Sequence, residues 1–331
     1  MRKLLFILIG ECLVLSLATP LSAEGVKYLL YEDFNGVTPP AWPVGWSVEN
    51  PNGLAQWETR PFGGGGGGGC ARYLSEPITP ADDWFFSPAV ALSDGIQYNL
   101  SFKYRVTSSA LPHHLAVSMG DGPSSANMSV LILDLPSIDE EEIQEATAPV
   151  TVGSAGNYYI GFHCLSAPNQ LAVFVDDVVV SAEETNLRLY LQMDKAFYQA
   201  GAINYATQEE KRCLIYAKNV GSATLTVNSR MVVGDPGDPD IVLSFLVTGP
   251  GGLTVPFKGK YKPAEPDAAD FVPIGPGESV HKYYDLNGAF YDFSNLGDYT
   301  IKAVYRNHFK LEGQDVWLGR LVSDPVTIRI E

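Results

Sequence analysis

From Lys27 onward the chain alternates apolar and polar residues over short runs that are separated by turn residues. Ile96 to Val106, His114 to Ser118, Asn157 to His163 and Leu171 to Ser181 read this way in the first half. In the second half the runs are Leu187 to Leu191, Arg212 to Lys218, Ala223 to Val233, Val242 to Val247, Tyr299 to Tyr305 and Val326 to Ile330. Strand side chains point alternately to opposite faces, so this pattern predicts strands with one buried and one wet face. No helical periodicity intervenes. Many short strands of this kind predict an all-β chain built from sandwiches, a jelly roll first.

Ala182-Glu183-Glu184-Thr185 is polar and lies between two strand patterns. It predicts one domain over 24–184 and another over 185–331. Gly297-Asp298-Tyr299 ahead of a strand resembles the tyrosine corner of immunoglobulin-like sandwiches, which predicts that fold for the second half. The segment from Gly234 to Pro276 accounts for its extra length, and the two halves do not repeat each other.

The first residues stand outside this pattern. Met1-Arg2-Lys3 is a positive start, Leu4 to Ala18 is apolar except for Gly10, Glu11, Cys12 and Ser16, and Leu21-Ser22-Ala23 offers a small residue at the cut. Residues 1–23 therefore read as a secretory signal peptide. The run is too short for a membrane anchor, and Glu11 occupies the position where lipidation at Cys12 needs a small residue. The mature chain is expected to be secreted or at the cell surface, with no membrane insertion after cleavage.

Composition narrows the partners. Of 331 residues, 22 are basic and 38 acidic, a formal charge of −16, which argues against nucleic acid as a partner. Cys70, Cys164 and Cys213 remain after the signal, an odd number. Cys213 sits in a strand-like run as a small hydrophobe, and a Cys70–Cys164 bridge stays open.

Three features ask for chemistry. Asp176-Asp177 interrupts a run, Leu171 to Val180, that is otherwise apolar on both parities. Consecutive strand residues face opposite ways, so one carboxylate must point into packed protein and needs a partner or a metal ion. No Lys or Arg lies between Arg105 and Arg188, so a basic partner must come from Lys27, Arg60, Arg72, Lys103, Arg105 or the second domain. Glu32-Asp33 is another acidic pair, in the first strand. If the terminal strands lie together these four carboxylates converge, and Ca²⁺ suits an all-oxygen site of this kind. Asp83, in Asp82-Asp83-Trp84, is a fifth candidate ligand, although its acidic pair also reads as a turn cap beside core aromatics. Gly63 to Gly69 lacks the Lys-Ser/Thr and helix of a phosphate loop and reads as a flexible surface loop beside a binding face.

Catalytic signatures are missing from the sequence. None of the histidines begins a His-Glu-x-x-His motif, no Gly-x-Ser-x-Gly elbow occurs, and His163-Cys164 are strand neighbours whose side chains diverge. Asp139 to Glu145 reads as a helix-like, solvated acidic turn.

The residues of the first half, taken in order, resemble the cleaved adhesin, or choice-of-anchor J, family of secreted bacterial MAM-like jelly rolls. Tyr31-Glu32-Asp33-Phe34 with Pro43-Val44-Gly45-Trp46 matches the opening of that family, and Asp82-Asp83-Trp84-Phe85-Phe86-Ser87-Pro88 its central motif. Tyr98 to Phe102, Tyr159 to His163 and Val175-Asp176-Asp177-Val178 follow, so the resemblance covers about 28–182. It implies an adhesive or carbohydrate-recognition module that holds calcium through Glu32 and Asp177, then Asp33, Asp83 and Asp176. The glycine run departs from the family pattern. Val255 to Lys260, Asp270 to Ser279 and Asp292 to Thr300 are similar to the immunoglobulin-like domain preceding the catalytic unit of deuterolysin-type and peptidyl-Lys metallopeptidases. That resemblance covers 187–331, and the zinc-binding unit does not follow.

Together these readings predict a secreted, non-catalytic recognition protein, calcium-stabilised, that binds carbohydrate or a cell-surface ligand. Trp42, Tyr73, His113 and His114 are the candidate ligand contacts. The rivals are an assembly module that docks a protein partner and, further off, a glycoside hydrolase.

Overall fold

The computed structural model describes residues 25–64, 68–199, 212–238, 240–259, 264–286 and 290–331. The proposed signal peptide lies outside the described residues. The first half contains β1 (Gly25–Glu32), β2 (Ser47–Glu49), β3 (Glu58–Arg60), β4 (Cys70–Leu74), β5 (Asp83–Phe86) and β6 (Val90–Leu92). It continues with β7 (Tyr98–Val106), β8 (His113–Gly120), β9 (Val130–Ile138), β10 (Gln144–Val150), β11 (Gly156–Cys164) and β12 (Ala172–Glu183). The second half adds β13 (Leu187–Met193), β14 (Phe197–Tyr198), β15 (Arg212–Asn219), β16 (Leu225–Asn228), β17 (Leu243–Thr248) and β18 (Thr254–Val255). It ends with β19 (Phe271–Ile274), β20 (Ser279–Asp285), β21 (Gly297–Asn307), β22 (Gly319–Val322) and β23 (Val326–Ile330). Short 3₁₀ turns are the sole helical elements among the described residues. None of them is long and apolar enough to cross a membrane.

In the first half β7 and β12 face the sheet β2-β5-β11-β8-β9. Alternation drives this packing. Leu100 and Phe102 of β7 and Val173, Val175, Val178 and Val180 of β12 are buried against Phe85, Leu115, Val117, Ile160 and Phe162. Phe162 lies parallel to Phe85 at 4.5 Å and edge-on to Phe102 at 5.2 Å. In the second half β13-β15-β20 covers the sheet of β17 and β21. Leu187, Leu189, Leu191, Ile215 and Ala217 there pack with Phe245, Ile301, Ala303 and Tyr305. The Tyr299 hydroxyl donates to the carbonyl of Asn295 at 2.9 Å, the hydrogen bond of a tyrosine corner.

The two apolar cores part on either side of Glu184, yet the backbone is continuous across them. One sheet runs β10-β7-β12-β1-β22-β21-β17-β18, with Gly25–Lys27 of β1 paired to Gly319–Leu321 of β22. Glu184 clamps the seam. Its carboxylate accepts the backbone N–H groups of Asn186 and Leu187 and the indole N–H of Trp317. The sequence pattern treats the halves as separate sandwiches, and this pairing between distant strands joins them.

The bridge left open between Cys70 and Cys164 does not form, and one local expectation needs correction. Cys70 and Cys164 are buried free thiols: Cys70 donates to the carbonyl of Phe62, while Cys164 lies 3.2 Å from the Ser166 hydroxyl. The acidic turn after Asp139 is a bend and not a helix, and Glu145 belongs to β10.

Candidate functional site

β1 pairs antiparallel with β12, so Glu32 stands opposite Val178 and the acidic ends of the two terminal strands do come together. Along the same edge β12 pairs with β4 up to Val175 and with β1 from Val178. Asp176-Asp177 occupies the change of partner. There the register against β7 slips between Asp176 and Val179, and Asp177 has a φ of 46°. This is a β-bulge, the device by which a strand re-aims a side chain. Asp176 turns inward and is buried, whereas Asp177 is half-exposed.

The glycine run closes this corner. Gly63 has a φ of 121°, and a Cβ there would fall 2.6 Å from the Phe174 ring. Its carbonyl accepts the Arg105 guanidinium at 2.5 Å, and the same guanidinium stacks over Phe174 at 4.6 Å. At the other end Gly69 donates to Asn35 Oδ1 at 2.6 Å. The ends of the run are therefore packed and not a free surface loop, because only glycine clears these neighbours.

Above the bulge opens a cleft of about 1050 Å³ whose walls come from both sandwiches. Glu32, Asp33 and Asp177 line one side, and Arg306, His308, Phe309 and Lys310 line the other. Lys103 Nζ pairs with Asp177 Oδ2 at 2.6 Å, so this carboxylate draws its counter-charge from β7. Lys310 Nζ donates to the Tyr31 carbonyl at 2.8 Å and lies 3.9 Å from Glu32. Burial pushes the Glu32 carboxyl above the usual range, against the pull of Lys310 and of its hydrogen bond from the Phe34 N–H. Aromatic rings run along the seam: Tyr28 stacks on Tyr31, Tyr31 lies 5.0 Å from His308, and His308 lies 4.2 Å from Phe309.

The remaining expected residues lie elsewhere. Asp83 is fully buried on β5, where its Oδ2 accepts the Tyr73 hydroxyl at 2.8 Å. Asp176 Oδ1 accepts the N–H of Asp177, and Asp33 Oδ1 accepts that of Asn35. Glu32, Asp33 and Asp177 thus share a cleft, while Asp83 and Asp176 do not join them. Among the described residues no group of three or more His, Cys, Asp or Glu side chains is placed to hold a metal ion. Calcium wants six to eight oxygens. A wall carrying Lys103 and Lys310 against its carboxylates does not fit that donor set as arranged.

Tyr73 and His113, expected at a ligand surface, are core residues with no exposed area. The His113 ring nitrogens bond Ser166 Oγ and the Gln170 carbonyl, each at 2.8 Å, and burial lowers its pKa to about 4. Trp42 is half-buried and stacked on Phe85 at 5.5 Å. His114 is partly exposed and paired with Asp134 at 2.7 Å. Burial pushes the neighbouring Cys164 thiol up to about 12, far from a reactive thiolate. Sequence reasoning missed the far wall of the cleft. Arg306-Asn307-His308-Phe309-Lys310 is a basic, aromatic run in an acidic chain, but nothing in it says that it faces Glu32.

No protein-family model matches the chain. No curated protein matches it either. Among solved structures the K3 cleaved adhesin domain of Lys-gingipain from Porphyromonas gingivalis is similar at 18% identity, with 47% of this chain and 99% of that one covered and a TM-score of 0.37. The CBM22-1 xylan-binding domain from Paenibacillus barcinonensis Xyn10C is similar at 9% identity over 50% of this chain and 99% of its own, with a TM-score of 0.37.

Proposed function

We propose that this protein is a secreted, non-catalytic recognition protein that binds carbohydrate or another cell-surface ligand in the cleft between its two sandwiches. The observation that carries this reading is the composition of the walls. Rings from Tyr31, His308 and Phe309 stand among carboxylates and cations that can fix hydroxyl groups. Binding sites combine apolar contact with a few placed polar groups, and a volume of several hundred to ~1000 Å³ suits a small oligosaccharide. The order of the cleaved-adhesin motifs in residues 28–182 supports the same reading.

A glycan array probed with the whole chain tests it. A retained glycan should bind at least tenfold more weakly to Phe309→Ala and to Asp33→Asn, with melting temperatures unchanged. Failure to retain any glycan, or variants that keep wild-type affinity, overturns the cleft as the site. Release of reducing sugar from the retained glycan would place the protein with the glycoside hydrolases instead.

A further inference from the structure

The sheet β13-β15-β20 turns a second face away from its core, and that face belongs to no part of the cleft. Leu187, Leu189 and Leu191 point inward from β13, as do Cys213, Ile215 and Ala217 from β15. The intervening residues therefore point outward, and the strand register aligns them in rows. Arg188 stands directly opposite Lys218. In the next row Tyr190, Tyr216 and His281 lie side by side across the three strands. Tyr283 follows one row further along β20 and is 72% exposed.

Two properties of this face are unusual for a surface that meets only water. Like charges directly opposite on neighbouring strands repel each other. Arg188 and Lys218 nevertheless share a row, and neither side chain forms an ion pair or hydrogen bond with another side chain among the described residues. The acids that border this face, Asp194 and Asp285, flank Arg212, three rows away. The aromatic row is equally unfilled. The rings of Tyr190 and Tyr216 lie parallel with centroids 4.7 Å apart, and neither hydroxyl has a partner among the described residues. His281 meets Tyr283 edge-on at 6.0 Å and so braces an exposed ring.

We propose that this face binds an acidic polysaccharide, one whose sugar rings carry carboxylate or sulfate groups. An anion between Arg188 and Lys218 converts a repulsive row into a charge-assisted contact. One strand row away, about 7 Å along the sheet, the tyrosine hydroxyls meet sugar hydroxyls, and Tyr283 offers a ring for stacking. The cations select the charge, and the tyrosines select a saccharide over a simple polyanion.

Calorimetric titration of the full chain with polygalacturonate and with dextran sulfate tests the proposal, with dextran and polyglutamate as controls. At least one acidic polysaccharide should bind and both controls should not; the preferred one identifies the acid group. The double variant Arg188→Gln/Lys218→Gln and the single variant Tyr283→Ala should each weaken binding at least tenfold at unchanged melting temperature. Phe309→Ala, in the cleft, should leave this titration unaltered. Failure of both acidic polysaccharides to bind, equal binding of either control, wild-type affinity in either face variant, or a matching loss in Phe309→Ala overturns the assignment.

Discussion

Trp57→Ala should destabilise the first sandwich by about 3–5 kcal/mol, the cost of emptying a large aromatic site in a close-packed core. Trp57 has no exposed area, and its ring lies 4.6 Å from Phe85 and 5.7 Å from Tyr73. Its indole N–H also donates to the Asp83 carbonyl at 3.1 Å. Alanine removes the ring from between β4 and β5 and the hydrogen bond with it, and the surrounding strands are held by their own ladders and cannot collapse into the gap. Trp57→Phe retains part of the ring contact and should lose less. Urea unfolding followed by circular dichroism measures both. A loss below about 1 kcal/mol for Trp57→Ala would mean that the site relaxes, contrary to the packing of these rings.

Strand positions were legible in the sequence where they rest on local alternation, whereas the pairing of the terminal strands entered the reading only as a condition. β7, β8, β11, β12, β13, β15, β17, β21 and β23 fall within or across the alternating runs. The run Ala223 to Val233 instead yields only Leu225–Asn228 as strand, since Asn228 is buried and hydrogen-bonded to Asn307 and its backbone turns away there. β9 went unread because Val130 to Leu133 is apolar without alternation: it is an edge strand whose Val130 and Leu131 stay exposed. The Asp-Asp pair announced that something interrupts β12. Its cause, a bulge where one edge changes partner from β4 to β1, depends on three strands at once and leaves no local signature. Lys103 was among the residues that could balance those carboxylates, and the strand register singled it out. The cleft itself depends on the β1–β22 seam, a pairing across nearly the whole chain. Arg306 to Lys310 therefore had no legible address.

Asp83→Asn should stabilise the protein at neutral pH, by about 1–3 kcal/mol, because the wild-type carboxylate is buried with one oxygen unsatisfied. Oδ2 accepts the Tyr73 hydroxyl at 2.8 Å and the Asp82 N–H at 3.3 Å, while Oδ1 has no partner among the described residues. Burial raises the Asp83 pKa, and the two hydrogen bonds offset only part of that rise. An unfolded Asp titrates near ~3.9, so below that pH the group is neutral in both states and imposes no penalty. As pH rises through the higher folded value the native state must ionise a buried acid, and stability falls. Asparagine keeps an acceptor for Tyr73 and has no such step. The stability difference between Asp83→Asn and wild type should therefore widen as pH rises above the unfolded value of ~3.9 and level off only once pH has passed the raised folded value. Urea unfolding at a series of pH values reads the curve directly. An Asn variant less stable than wild type at pH 7 would show that the carboxylate finds stronger partners than Tyr73 and the Asp82 backbone. Tyr73→Phe sharpens the comparison: it removes the main donor to a charged group in the wild type but to a neutral one in Asp83→Asn. Its cost at pH 7 should accordingly be smaller in the Asn background, and a double-mutant cycle isolates that coupling.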